Sequence, residues 1–455
     1  MFSFVKKHYV IIVVMFMASN TSYAFDLLTA YQKALEYNAD YLAQVAQNKA
    51  GQENIIQGRA ALLPQLTATG AMNENYLGSG GTYYYYDQPT LGLQLSQVIF
   101  DFGKFSTYAK SKYQTQVSDL QLNNAKQKLI VTVAQSYFDV LYAGNLLNAI
   151  QTTKSALQDQ LNNAKRSFDV GTVTIADVND AQAGYDTAVA QEVKAQNDLV
   201  NKKNIFQNIT GLDANQIQPV LSNIALISSK PLELRGWVDM ANTGNINIKI
   251  ANKQLNMANE DIDIARAGHL PTVSLTGQYN NLGNVNLDGA DSQVTATQFN
   301  SQTSQAGVIG SSYTQGVVGI TVSIPLYSGG NVSSQARAAI ANYEASMQQL
   351  LSTKRNTQQD VQNAYWQVEN GISLVKAQTQ ALKSATIKLK SDKTGYQVGI
   401  RTSIDLVNSE KNYAQSIQDF NKSRYDYLVY KLQLMYLVGN LDIDFLRQIN
   451  ANIQN

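Results

Sequence analysis

Two phrases of eleven residues hold the side chains best placed for polar chemistry: FDVGTVTIADV at 168–178 and YQVGIRTSIDL at 396–406. Gly171 and Gly399 stand where a helix end calls for positive φ. Thr174 and Thr402 stand at the N-cap of a following helix, with Asp177 and Asp405 three residues on. This Thr-x-x-Asp spacing is a variant of the capping box, and its acid also suits a helix N-terminus. That much is turn chemistry, sufficient for an αα-hairpin. The copies differ where Phe168 is matched by Tyr396 and Val173 by Arg401. The second phrase therefore adds a hydroxyl and a guanidinium. Arg401 could pair with Asp405 four residues on, worth about 0–1 kcal/mol at a surface. Alternatively it reaches a neighbouring hairpin through charge-assisted bonds.

No catalytic or metal-binding set competes with this reading. The chain has no cysteine and two histidines, His8 and His269. A thiolate site, a multi-histidine metal site and a histidine-based triad are excluded within one chain, and no glycine-rich phosphate loop follows a strand. No enzyme activity and no cofactor is expected. His269, just before a Leu-Pro step, reads as a helix-end or interface residue. The first 24 residues, MFSFVKKHYVIIVVMFMASNTSYA, read as a secretory signal: two lysines, a short apolar stretch, then a small-x-small site ending at Ala24. Loss of Lys6 and Lys7 from the 35 basic residues leaves 33 against 34 acidic ones, a formal net charge of −1. That balance gives no footprint for nucleic acid. No later stretch of 18 apolar residues offers a transmembrane helix.

The elements that carry the two phrases are themselves duplicated. RAALLP at 59–64 aligns with RAGHLP at 266–271, and LGLQLSQVIFDFG at 91–103 with VGITVSIPLYSGG at 318–330. The offset grows from 207 to 227 residues between them and then holds at 228 through both phrases to Gly211 and Gly439. One polar insertion, rich in Gly, Ser, Asn and Gln, accounts for the jump and reads as a loop. The chain thus divides into a signal (1–24) and two repeats, 25–226 and 227–455.

Within a repeat the apolar period changes. Residues 26–60 read as helix, ended by Pro64. A β-hairpin follows, at about 65–100 in the first repeat and 272–325 in the second. Leu91, Leu93 and Leu95 alternate with polar residues, as do Val318, Ile320, Val322 and Ile324. Such alternation fits a membrane-barrel strand or, equally, a half-buried soluble strand. Four tyrosines at 83–86 stand where an aromatic girdle or a loop tip is expected. Proline-free stretches from Gly103 to Gly171 and from Gly330 to Gly399 then read as helices of about 100 Å. Shorter helices return to Gly211 and Gly439. Ala-rich helices of this length need neighbours throughout, as in coiled coils. One chain supplies four strands, whereas a closed membrane barrel needs at least eight, so strands in a bilayer require several chains.

The signal, the duplicated helix–hairpin–helix plan and the stretches ARAGHLPTVSLTG, ITVSIPLYSGG and GYQVGIRTSIDLV resemble the outer membrane efflux proteins of Gram-negative bacteria. The resemblance spans essentially the whole mature chain. It implies a mixed α and β membrane protein, a homotrimer whose twelve strands form one outer-membrane β-barrel, continued by a twelve-helix periplasmic α-barrel. It implies an exit channel embedded in outer-membrane lipid, working with a periplasmic adaptor and an inner-membrane efflux or ABC transporter. The exports would be small molecules, proteins by type I secretion, or both. It also implies a gate: Tyr396 and Arg401 bonded to Asp177, with Gln160 as a further acceptor. Asp405 matches one acidic ring of the family's constriction, whereas Asn408 replaces the acid of a second. Ala176 replaces a threonine of the usual latch. A lighter latch and weaker block by multivalent cations are expected. The competing expectation is a periplasmic or surface coiled-coil structural protein, which leaves the strand hairpins without a purpose.

Overall fold

The computed structural model describes residues 25–79, 82–219, 226, 233–282, 286–287 and 313–454. The signal segment, the side chains at 83–86, the boundary between the repeats and most of the inserted loop lie outside the described residues.

The chain opens with α1 (Leu27–Tyr37) and α2 (Ala39–Ala60), where the sequence pattern suggested one helix over 26–60. Asn38 makes the break. Its backbone leaves helical geometry, with ψ at 114°, and its Oδ1 accepts from the Tyr41 amide at 2.9 Å. An Asn side chain competes for backbone bonds in this way, with no glycine or proline to announce it. The second repeat does the same: Asn245 separates α5 (Leu234–Gly244) from α6 (Ile246–Ala267) and accepts from the Ile248 amide at 3.0 Å. Both side chains also tie back to the end of a returning helix. Asn38 Nδ2 donates to the Ile209 carbonyl at 3.5 Å, and Asn245 Nδ2 to that of Leu437 at 2.6 Å.

After Pro64 come β1 (Gln65–Ser79) and β2 (Thr82–Phe100); after Pro271 come β3 (Thr272–Leu282), the short β4 (Asn286–Leu287) and β5 (Tyr313–Ser323). All pairings are antiparallel, in the order β1-β2-β3-β5, so that β2 of the first repeat zips to β3 of the second. β4 pairs with β2, so the start of the inserted segment adds to the sheet.

The register sorts the side chains by face, because residues directly opposite share one. Leu66, Leu95, Gly277 and Val318 form one row, and Gln97, Leu275 and Ile320 the next. The other face carries Gln65, Ser96, Thr276 and Gly319, then Thr69, Gly92, Asn280 and Gln315. Among the described residues nothing covers the apolar face: Leu66 is 70% exposed, Leu91 69% and Val318 79%. A half-buried soluble strand would have packed that face on a core.

The long elements are α3 (Phe102–Asp169), α4 (Ile175–Thr210), α7 (Asn331–Gln397) and α8 (Ser403–Leu437). With 68 and 67 residues, α3 and α7 each extend about 100 Å. Near the sheet the neighbours run α2-α3-α6-α7; toward the hairpin tips they run α4-α3-α8-α7. The long helices lie side by side in series, and the main core is a belt around the middles of α3 and α7. There Val133 and Phe138 of α3, Val361 of α7 and Leu428 of α8 meet Trp237 of α5. The last helix, α9 (Ile443–Gln454), closes the belt with Leu446 and Ile449. No described helix is long and apolar enough to cross a membrane.

Candidate gate at the hairpin tips

The α3–α4 and α7–α8 turns share one backbone solution. Gly171 and Gly399 hold φ of 76° and 80°. Their amides donate to Phe168 and Tyr396 carbonyls at 2.9 and 3.1 Å, and the next amides, of Thr172 and Ile400, to Ser167 and Gly395 at 2.9 Å. This is the Schellman pattern, which satisfies the last helical carbonyls. The capping boxes close behind it. Asp177 accepts from the Thr174 amide at 2.9 Å and its hydroxyl at 2.7 Å; Asp405 accepts from the same groups of Thr402 at 3.1 and 2.8 Å. Bonds from the Thr174 hydroxyl and then its amide hold the Asp177 carboxyl below the usual range. The amide and then the hydroxyl of Thr402 do the same for Asp405, with a further contribution from Arg401.

Beyond the caps the two hairpins part company. In the first, the tip is packed by Leu161, Ala164 and Ala181, with Val178 and Tyr185 against them. In the second, the positions matching Ala164 and Ala181 are Asp392 and Ser409. The Asp392 side chain is only 4% exposed, yet it is charged. It accepts from Lys388 and from Ser409, and lies 3.4 Å by Oδ1 from Arg401 Nε. Bonds from Lys388 and then Ser409 hold its carboxyl below the usual range. Lys388 also donates to Ser409 Oγ at 2.8 Å.

Within one chain, then, Arg401 pairs with Asp392, neither with Asp405 nor with Asp177. Asp405 is occupied by its own cap, and Arg401 turns back across Gly395. A Cβ on Gly395 would lie 2.7 Å from Arg401 Cγ, so the glycine clears the stem's path. Sequence reading missed Asp392, because Lys388 and Asp392 at i, i+4 look like a solvent pair on a helix. Setting the repeats side by side at that position, Ala164 against Asp392, was the available signal.

Tyr396 is half-buried, and Asp177 is near enough to act on it: burial first, then the Asp177 charge, push its hydroxyl above the ordinary value. Both hydrogen bonds that Asp177 accepts come from Thr174. Gln160 is buried and does bridge the hairpins, but as a donor: its Nε2 gives to the Ser403 carbonyl at 2.9 Å and hydroxyl at 2.6 Å. Ser403, the first residue of α8, offers both acceptors. Asn408 is exposed on a cleft of about 790 Å³ between α3, α4 and α8. His269 lies in the turn two residues past α6, with its ring 3.4 Å from Ser333 Oγ.

A series of long helices joined to an open sheet with a bare apolar face is the subunit fold of an outer-membrane channel. The solved Campylobacter jejuni CmeC outer membrane channel matches it with a TM-score of 0.74 at 18% identity, over 94% of this chain and 89% of that one. The profile of the outer membrane efflux proteins matches residues 30–212 and 237–440, and the chain belongs to that family. It is 29% identical to the outer membrane protein TolC of Vibrio cholerae, over 96% of this chain and 95% of the relative. It is 25% identical to the alkaline protease secretion protein AprF of Pseudomonas aeruginosa, over 95% and 88%. The chain is an export channel of the Gram-negative outer membrane.

Proposed function

We propose that three copies, exported by a signal cut after Ala24, close a single twelve-stranded barrel in outer-membrane lipid and a twelve-helix tunnel beneath it. The observation that carries this reading is the sheet itself: it pairs four strands in series, leaves β1 and β5 as edges, and exposes a largely apolar face that carries Leu66, Leu91, Leu93, Val318 and Ile320. Open edges are not tolerated in lipid, and three four-stranded sheets joined edge to edge leave none. The tunnel receives its cargo from a periplasmic adaptor and an inner-membrane transporter. Cargo includes small molecules and, by likeness to the protease secretion relative, proteins leaving by type I secretion. The channel performs no chemistry on what it passes.

The hairpin tips form its gate. Tyr396 and Arg401, present in only one repeat, draw the second hairpin toward the first, with Asp177 and the Gln160–Ser403 bonds on the receiving side. Asp405 lines the constriction as a ring of three carboxylates. Planar-bilayer recording tests this reading: the pair Tyr396→Phe and Arg401→Glu should raise single-channel conductance severalfold. Unaltered conductance would reduce the phrase to helix capping. In the same recordings Asn408→Asp should strengthen block by multivalent cations, since it adds three charges to a narrow ring; equal block in both proteins would remove Asn408 from the constriction.

A further inference from the structure

Asp392 is buried charge placed where the same fold manages without it. The first hairpin closes over Ala164 and Ala181 with the same turn, the same capping box and the same Schellman bonds. The second hairpin substitutes Asp392 and Ser409, and three further differences serve that pair. Lys388 stands where the first repeat has Gln160, Arg401 where it has Val173, and Gly395 where it has Ser167. Burying a carboxylate is costly unless donors surround it, and here Lys388, Ser409 and Arg401 converge on one group. Turn formation requires none of this, as the first hairpin demonstrates.

The contact with Arg401 is made through Nε. A guanidinium carries five N–H donors in a rigid fork. An ion pair at Nε, 3.4 Å from Asp392 Oδ1, draws that edge of the fork toward Asp392 and leaves the terminal nitrogens for an acceptor outside the hairpin. The Arg401 side chain remains 54% exposed while its partner is buried, so one end of the pair is anchored and the other is offered outward. Gly395 completes the arrangement by letting the stem lie flat on α7.

We propose that Asp392 is a positioning residue of the gate: anchored by Lys388 and Ser409, it holds Arg401 in the orientation that bonds across to the first hairpin. This rests on the gate reading above. Asp392 touches nothing that passes through the channel and acts only through Arg401.

The test is single-channel recording on full-length trimers of four variants: Arg401→Ala, Asp392→Asn, the two combined, and Asp392→Glu. Arg401→Ala and Asp392→Asn should each raise conductance about twofold or more, and the combination should add nothing beyond either, since coupled residues are not additive. Asp392→Glu should restore most of the closure. If Arg401→Ala is silent, the gate reading itself fails. If Arg401→Ala raises conductance and Asp392→Asn does not, or if their effects multiply, only the positioning role is overturned. Should Asp392→Asn misfold, Asp392→Ala with Ser409→Ala recreates the first hairpin's own packing. That variant should fold and still conduct more than the parent; wild-type conductance from it would also overturn the proposal.

Discussion

The two hairpin tips are one backbone answering two needs. At both, a left-handed glycine and a Thr–Asp capping box turn the chain within a few residues. Below the turn the first tip is small and apolar, Ala164 on Ala181, and the second is charged, Asp392 among Lys388, Ser409 and Arg401. The difference separates what a fold requires from what has been added to it. Duplication supplies the control: a feature in both copies belongs to the turn, and a feature in one copy belongs to something the turn does not need.

The comparison breaks most severely if charge is moved without its partners. Ala164→Asp places a carboxylate at a site 1% exposed with no converging donors. It should cost about 3 kcal/mol or more, read as a lower thermal midpoint. Adding Ala181→Ser, Ser167→Gly and Val173→Arg should recover part of that loss. A harmless Ala164→Asp would mean that the first tip is not the apolar counterpart described here. The shared layer predicts equal effects in both copies. Gly171→Ala and Gly399→Ala meet no atom within 4 Å, so each should cost only the left-handed backbone strain of about 1–2 kcal/mol. Unequal losses would show that one turn bears an outside load.

The smallest effect is at the caps. Thr174→Ala and Thr402→Ala should each cost about 1 kcal/mol at neutral pH. Because the folded carboxyls of Asp177 and Asp405 lie below the ordinary range, they stabilise the turns above their unfolded values near pH 4. That contribution disappears as pH falls through the lower folded values, so the Thr→Ala penalties should shrink in acid melts. Penalties that hold constant down to pH 2 would assign the cap to the hydroxyls alone.

Much of this was legible in the sequence, for reasons that differ by element. The long helices, the hairpin turns and the alternating strands were readable because glycine, proline and period are local signals. The helix breaks at Asn38 and Asn245 needed coordinates, since an Asn cap in an apolar-periodic stretch looks like a surface residue. The candidate gate residues were half legible. Tyr396 and Arg401 stood out by comparison between copies, but the nearest partner of Arg401 lies nine residues back on the preceding helix. No spacing rule turns Asp392 inward; packing between α7 and α8 does. Gln160 was named for its place, but its role as donor depended on how α8 begins.

The core belt has a mechanical meaning. Phe138, at its centre, is 31 residues from the end of α3, about 46 Å along the helix. A rod of that length pivoting about its packed middle is a lever. A tilt of about 5° at the belt would carry the tip sideways by about 4 Å, roughly one side chain's width, without opening the belt itself. Such a lever trades force for travel: pivoting at a packed fulcrum would give the far end the larger displacement, and a few weak bonds there would suffice to hold it still.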